Sequence, residues 1–167
     1  SLHESVQERF KGVRTLEISS KSLDPVGIAL SAFNLRLPLG DARVSVEVAF
    51  QAGKRFERGG PFLDLLSRSS REAKGDSRLR ESGRLLSFEL QGASWPTSPL
   101  TAFYDWLYMN ALEANRDLAD ALPGYGAFTD IEFNPEKSIN CQARSAALYV
   151  SLKKEGLLSE ALSGRDA

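Results

Sequence analysis

Ser45-Val46-Glu47-Val48-Ala49-Phe50-Gln51-Ala52-Gly53-Lys54-Arg55-Phe56 is the stretch on which the reading of this chain turns. At helical spacing Glu47, Gln51 and Lys54 fall at i, i+4 and i+7 and share one face. Val46, Phe50 and Gly53 repeat that spacing on another face, with Ala49 beside them. A helix here packs one side inward and presents a carboxylate, an amide and an ammonium together on the other. That trio suits work on a polarised bond, and it equally suits a plain solvated surface; spacing alone leaves both readings open. The predicted helix opens after Asp41 and is stopped by Gly59-Gly60-Pro61.

Working outward, residues 13–19 alternate as a short strand, Asp24-Pro25 breaks it, and residues 32–37 read as a second extended piece closed by Pro38 and Gly40. Downstream, residues 61–66 form a short apolar element and residues 67–83 a polar helix-and-loop region. Residues 84–90 alternate as a strand, Gln91-Gly92 supplies a turn, and Ala93-Ser94-Trp95 returns as a hairpin partner. Ser98-Pro99 has the form of a helix start, followed by an apolar stripe of Leu100, Phe103, Tyr104, Leu107, Tyr108 and Ala111. Another helix runs from about Asn115 to before Pro123-Gly124. Residues 128–133 read as a strand with Asp130 and Glu132 on one face and Ile131 and Phe133 on the other. A last helix runs from an N-cap at Ser138 to Lys153-Lys154 and ends at Gly156. The sum is an α+β fold, a single helix-rich domain over residues 1–167 with four or five short strands. About ten N-terminal and about eight C-terminal residues are expected to fray.

At 167 residues, 42% hydrophobic and 26% charged, the chain can bury one real core and sits among ordinary globular proteins. It has no run of eighteen apolar residues and no signal-peptide pattern, so no membrane association is expected. The single cysteine, Cys141, excludes an internal disulfide and suits a reducing, cytoplasmic compartment. The single histidine, His3, lies in the fraying terminus. A Cys/His zinc site therefore lacks ligands, and a Ser-His-Asp triad lacks a well-placed base. Catalysis has to run on Asp, Glu, Lys, Tyr or bound water, with neither metal nor cofactor expected. There is no Walker loop and no dinucleotide-binding glycine pattern. With no histidine to activate it, Cys141 reads as a small buried residue rather than a nucleophile.

The net charge of −1 speaks against a chain that coats nucleic acid along its whole length. Charge is uneven, however: residues 53–84 carry nine Lys and Arg against five Asp and Glu. This is either a solvated loop region of mixed charge or a rim facing phosphates. A second polar block runs from Asp130 through Glu132, Lys137, Ser138 and Asn140 to Arg144. Two carboxylates on a strand face feed a helix start whose free N–H groups attract anions, Lys137 adds charge, and Asn140 and Arg144 extend the wall at i, i+4. A phosphate or ribose site is sensible there, as is ordinary capping by Ser138. Phe103, Tyr104, Trp106 and Tyr108 could stack a base, but most of them lie on the apolar stripe, which favours core packing; Asp105 and Trp106 fall off it.

The 45–56 segment resembles the Ser-Val-Glu-His-x-x-Gln-x-x-Lys-x-Phe signature of the NADAR (YbiA-like) family, with Val48 where the signature has histidine. Leu30-Ser31-Ala32-Phe33-Asn34 stands where that family has a Ser-Asn-Phe turn beside its ligand. The helix at residues 138–152 stands where its closing helix follows an acidic segment, without the Trp-Gly that precedes it there. The resemblance implies hydrolysis of an N-glycosidic bond on a ribosyl or ADP-ribosyl substrate, including an ADP-ribosylated nucleobase. Glu47 would be the main catalytic carboxylate, with Gln51 and Lys54 alongside, Asp130 or Glu132 as a second carboxylate, and Asn34 lining the ligand. Two further readings remain: a nucleotide or nucleic-acid binding module without turnover, and a partner protein in a bacterial defence or toxin–antitoxin pair. A homodimer is compatible with the short strands.

Overall fold

The computed structural model describes residues 14–129 and 142–163. The chain opens with β1 (Thr15–Glu17), paired in parallel with the later β7 (Ala127–Thr129), Leu16 opposite Phe128. Asp24-Pro25 breaks the strand by starting a helix: the Asp24 carboxylate accepts the Val26 N–H at 2.9 Å and caps α1 (Pro25–Ala29).

β2 (Arg36–Leu39) and β3 (Ala42–Ser45) form an antiparallel hairpin with Arg36 opposite Ser45 and Leu39 opposite Ala42. Gly40 turns it at φ +60°. Leu37, Leu39 and Val44 face the core. Residues 42–44, read from spacing as the first helical turn, are therefore strand, because pairing with residues 36–39 supplies their hydrogen bonds and buries Val44. Ser45 then switches the chain to helix, its Oγ accepting the Val48 N–H at 3.1 Å.

The helix that follows, α2 (Val46–Ala52), is shorter than the sequence suggested. It ends at Gly53 rather than at Gly59-Gly60, because the next three residues form β4 (Lys54–Phe56), with Lys54 opposite Phe88 and Arg55 opposite Ser87. Glycine is required at the junction: a β-carbon on Gly53 would stand 2.9 Å from Cζ of Phe103. All seven residues of α2 are buried, Glu47 and Gln51 included. The solvated-face reading is thereby excluded for those two side chains.

A 3-10 turn (Leu63–Ser67), α3 (Ser70–Lys74) and α4 (Arg78–Glu81) make up the polar region that follows. β5 (Leu85–Leu90) and β6 (Ala93–Trp95) complete a three-stranded antiparallel sheet in the order β4-β5-β6. Gln91 and Gly92 both have positive φ, as a tight two-residue hairpin turn needs. α5 (Ala102–Glu113) runs through the centre of the core and buries Phe103, Tyr104, Leu107, Tyr108 and Ala111. It begins three residues after Pro99, whose carbonyl accepts the Ala102 N–H at 3.2 Å; the proline belongs to the entering turn, and Leu100 drops out of the stripe. α6 (Arg116–Ala121), α7 (Gln142–Lys154) and α8 (Leu158–Ser163) close the described fold, which is α+β with seven short strands among those residues. None of the described helices is long and apolar enough to cross a membrane.

Candidate functional site

The site is built around the first turn of α2. The backbone N–H of Val46 donates to the Leu35 carbonyl at 2.9 Å, and that of Glu47 to the Ala32 carbonyl at 3.0 Å. These bonds use helix-start N–H groups that lack partners within the helix, and they clamp the 31–35 turn against it. The same turn is held from the far side, where Gln142 at the start of α7 accepts the Ala32 N–H at 2.6 Å and donates to the Ile18 carbonyl at 3.1 Å. Ser70, in α3, shares a 2.6 Å hydrogen bond with the Ser45 hydroxyl and another of 2.8 Å with the Phe33 carbonyl. The 31–35 turn and α3 thus lock onto the segment that carries Glu47, and Gln142 of α7 ties that turn to Ile18, just after β1.

Glu47 is 8% exposed and Gln51 6% exposed, so both are polar groups inside the protein. Gln51 donates through Nε2 to Glu47 Oε1 at 2.8 Å, the i, i+4 contact that the sequence spacing called for. Two acceptor positions are left over among the described residues. Glu47 Oε2 carries no hydrogen bond, and Gln51 Oε1 is buried without a partner. A buried amide oxygen without a donor costs roughly 1–3 kcal/mol, a cost that a ligand or water hydroxyl donating to it would remove.

Lys54 lies just beyond the helix, at the first position of β4, with its ammonium 4.8 Å from the centroid of the Phe50 ring. Burial holds that ammonium below the usual lysine range, Glu47 pulling the other way and the nearby Lys74 charge adding to the lowering. Because the folded pKa lies below the unfolded value of 10.5, the unfolded chain holds this proton more tightly. The charge therefore opposes folding at neutral pH, and its penalty fades as pH rises through the folded pKa towards 10.5. Lys54→Met, which keeps the stem against Phe50, should be at least as stable as the parent at pH 7. The gap should narrow as pH rises towards 10.5, as measured by thermal melting. A variant clearly less stable at neutral pH would show that Lys54 is a structural cation.

Lys74 was not singled out in the sequence. Its ammonium lies 5.2 Å from the Phe33 ring centroid, on the last residue of α3. The ion pairs of the basic region take up only part of its charge. Arg55 binds Glu89, Arg68 binds Glu72, Arg78 binds Asp64 and Asp76, and Arg84 binds Glu57. Four of the nine basic residues of 53–84 are paired in this way, whereas Lys54 and Lys74, like Arg58, Arg71 and Arg80, form no ion pair among the described residues. What sets Lys54 and Lys74 apart from those three arginines is that each ammonium lies over an aromatic ring, Phe50 and Phe33, which a one-dimensional count of charge cannot supply.

The remaining sequence candidates divide. Asn34 is in the clamped turn, exposed, and its Nδ2 donates to the Ile28 carbonyl at 2.9 Å. Arg144 points elsewhere: its guanidinium binds the buried Asp105 carboxylate at 2.6 Å, and Ser145 Oγ donates to the same carboxylate at 2.7 Å. Asp105, off the apolar stripe, is therefore the anchor between α5 and α7. Asp130, Glu132, Lys137, Ser138, Asn140 and Cys141 lie outside the described residues. Trp106 is packed on Trp95 at 4.9 Å between centroids, beside a hollow of about 500 Å³ lined chiefly by Trp95, Met109, Leu148, Leu152 and Leu157. That hollow is apolar and does not include Glu47.

Among the described residues no group of His, Cys, Asp and Glu is arranged to hold a metal ion. The chemistry available around α2 is that of a fixed carboxylate, an amide and two ammoniums. No match is found among curated proteins. A family model described as DarT1-associated NADAR antitoxin matches residues 1–167. All 167 residues fall within the match, and the chain belongs to the DarT1-associated NADAR antitoxin family.

Proposed function

We propose that this antitoxin hydrolyses the N-glycosidic bond between an ADP-ribosyl group and a nucleobase, with Glu47 as the reacting carboxylate. The observation that carries this reading is the state of Glu47: buried, fixed at Oε1 by Gln51, and with no hydrogen bond to Oε2 among the described residues. As the bond from C1″ of the ribose to the base nitrogen breaks, its electron pair leaves with the base and C1″ gains oxocarbenium character. A carboxylate oriented beforehand stabilises that charge and can draw a proton from the attacking water. The water oxygen bonds to C1″, giving free ADP-ribose, and one proton of the water ends on the departing base nitrogen. Gln51 Oε1, buried and lacking a donor, suits a ribose hydroxyl. An antitoxin with this activity undoes a modification rather than blocking the toxin that makes it.

The test is direct. Incubated with an oligonucleotide bearing ADP-ribosylated guanine, the protein should release free ADP-ribose and restore the unmodified base, as followed by mass spectrometry. Binding of the modified oligonucleotide without release would overturn the hydrolase reading and leave a sequestering antitoxin.

A further inference from the structure

We infer that the hollow of about 500 Å³ between α5, α7 and α8 is a second ligand site, separate from the one at Glu47 and shaped for a nucleobase. Its size is that of a small-molecule site, and its walls hold polar groups that packing alone leaves unmatched. Trp95 and Trp106, the two tryptophans of the chain, both line it, their rings 4.9 Å apart between centroids and tilted by 50°. Trp106 is anchored at its edge, its indole N–H donating to the Leu162 carbonyl at 3.4 Å. Trp95 is 2% exposed, and its indole N–H has no acceptor among the described residues. A buried tryptophan ordinarily finds such a partner, so this N–H is a donor left for whatever enters the hollow. The Phe103 ring stands 4.7 Å from that of Trp95 and 6.1 Å from that of Phe50 between centroids. An aromatic layer therefore separates the hollow from the helix that carries Glu47, and the two sites are independent.

The charges around the hollow select among ligands. Asp105 lines it, but its carboxylate is taken up by Arg144 at 2.6 Å and Ser145 at 2.7 Å. Glu160 lines it without an ion pair among the described residues, and no lysine or arginine of those residues does so. A phosphate or a fatty-acid carboxylate is therefore disfavoured inside. A hydrocarbon chain fills the space but leaves the Trp95 N–H and the Glu160 carboxylate unmatched. A nucleobase meets all three demands. Its apolar faces stack on tryptophan, a ring nitrogen or carbonyl oxygen at its edge accepts from the Trp95 N–H, and its amino or imino N–H groups donate to Glu160. Any phosphate attached to it stays in solvent.

Because both tryptophans line this hollow, intrinsic tryptophan fluorescence of the full chain reports on it selectively. Adenosine, guanosine and cytidine should quench that emission saturably, whereas ribose and hexanol should neither quench it nor displace a bound nucleoside. Ala161→Phe, which fills the hollow from α8 without removing a core side chain, should raise the nucleoside Kd about tenfold or more, and Glu47→Gln should leave it unchanged. Trp106→Phe, which keeps an aromatic face, should bind about tenfold more tightly than Trp106→Leu, as measured calorimetrically. Tighter binding of a dinucleotide than of its nucleosides supports the site and assigns its base to a nucleic-acid strand; equal binding supports it and assigns the base to a free nucleoside. Quenching that does not saturate, a Kd unchanged in folded Ala161→Phe, or displacement by hexanol as effective as by a second nucleoside would overturn the inference.

Discussion

Glu47→Gln should lower the release of ADP-ribose by about a hundredfold or more while leaving the melting temperature nearly unchanged. The size follows from what the substitution removes. The negative charge that faces C1″ as the base departs is lost, and so is the group able to take a proton from water; either loss alone is commonly worth about two orders of magnitude. The small effect on folding follows from the local hydrogen bonding. Gln51 Nε2 can still donate to the new amide oxygen, as it does to Glu47 Oε1 at 2.8 Å. The new amide N–H can instead turn towards Gln51 Oε1, which has no donor among the described residues of the parent protein. Removing a buried charge also removes its desolvation penalty. Full activity in a folded Glu47→Gln protein would eliminate this carboxylate as the reacting group. A collapse in stability would instead assign Glu47 to the fold. Gln51→Leu provides the complementary measurement: it leaves the charge but releases its orientation, and kcat should drop by less than in Glu47→Gln.

The outline of this site was legible because its strongest signal is local. Glu47 and Gln51 sit one helical turn apart, and a four-residue spacing survives any error in where the helix ends. Three features escaped for reasons of range. The helix stops at Gly53 because Lys54 pairs with Phe88, 34 residues away in sequence, and cross-strand hydrogen bonds outweigh helical periodicity at that junction. The burial of the polar face comes from the 31–35 turn and α3 closing over it through Ala32, Phe33 and Ser70, none of which helical spacing can announce. Lys74 is one of nine basic residues in 53–84, and nothing in their spacing places its ammonium over the Phe33 ring. Arg144 shows the converse problem. Its i, i+4 relation to Asn140 was real as spacing, but a buried carboxylate at Asp105 offers an ion pair, and that contact fixes the side chain. The Gln91-Gly92 hairpin was legible from turn chemistry alone, but the one at Gly40 was not: the extended piece read at 32–37 is strand at Arg36–Leu39, and the residues after Gly40, read as helix, return as its partner, while Ser98-Pro99 marks only the approach to α5.

Phe103→Ala should destabilise the protein by about 3–5 kcal/mol, the largest stability effect expected of a single substitution in this core. Phe103 is fully buried, and its ring lies 4.9 Å from that of Phe88, 4.7 Å from that of Trp95 and 6.1 Å from that of Phe50, measured between centroids. One side chain on α5 therefore joins the central strand β5 and the outer strand β6 of the three-stranded sheet to the helix bearing Glu47. Those partners are fixed by sheet pairing, Phe88 lying opposite both Lys54 and Trp95, so they can collapse only partly into the space left behind. Thermal or urea unfolding measures the loss, and a value below about 1 kcal/mol would show that the cluster repacks. The consequence reaches the site because Gly53 rests on this ring. With the ring gone, the C-terminal end of α2 loses its support, and the Glu47–Gln51 pair one turn away loses definition. Activity should then fall in Phe103→Ala even well below its melting temperature, whereas Phe103→Leu, which refills most of the volume, should recover activity more completely than stability. Equal activity in folded Phe103→Ala and parent protein would mean that the 31–35 turn and α3 alone hold Glu47 in place.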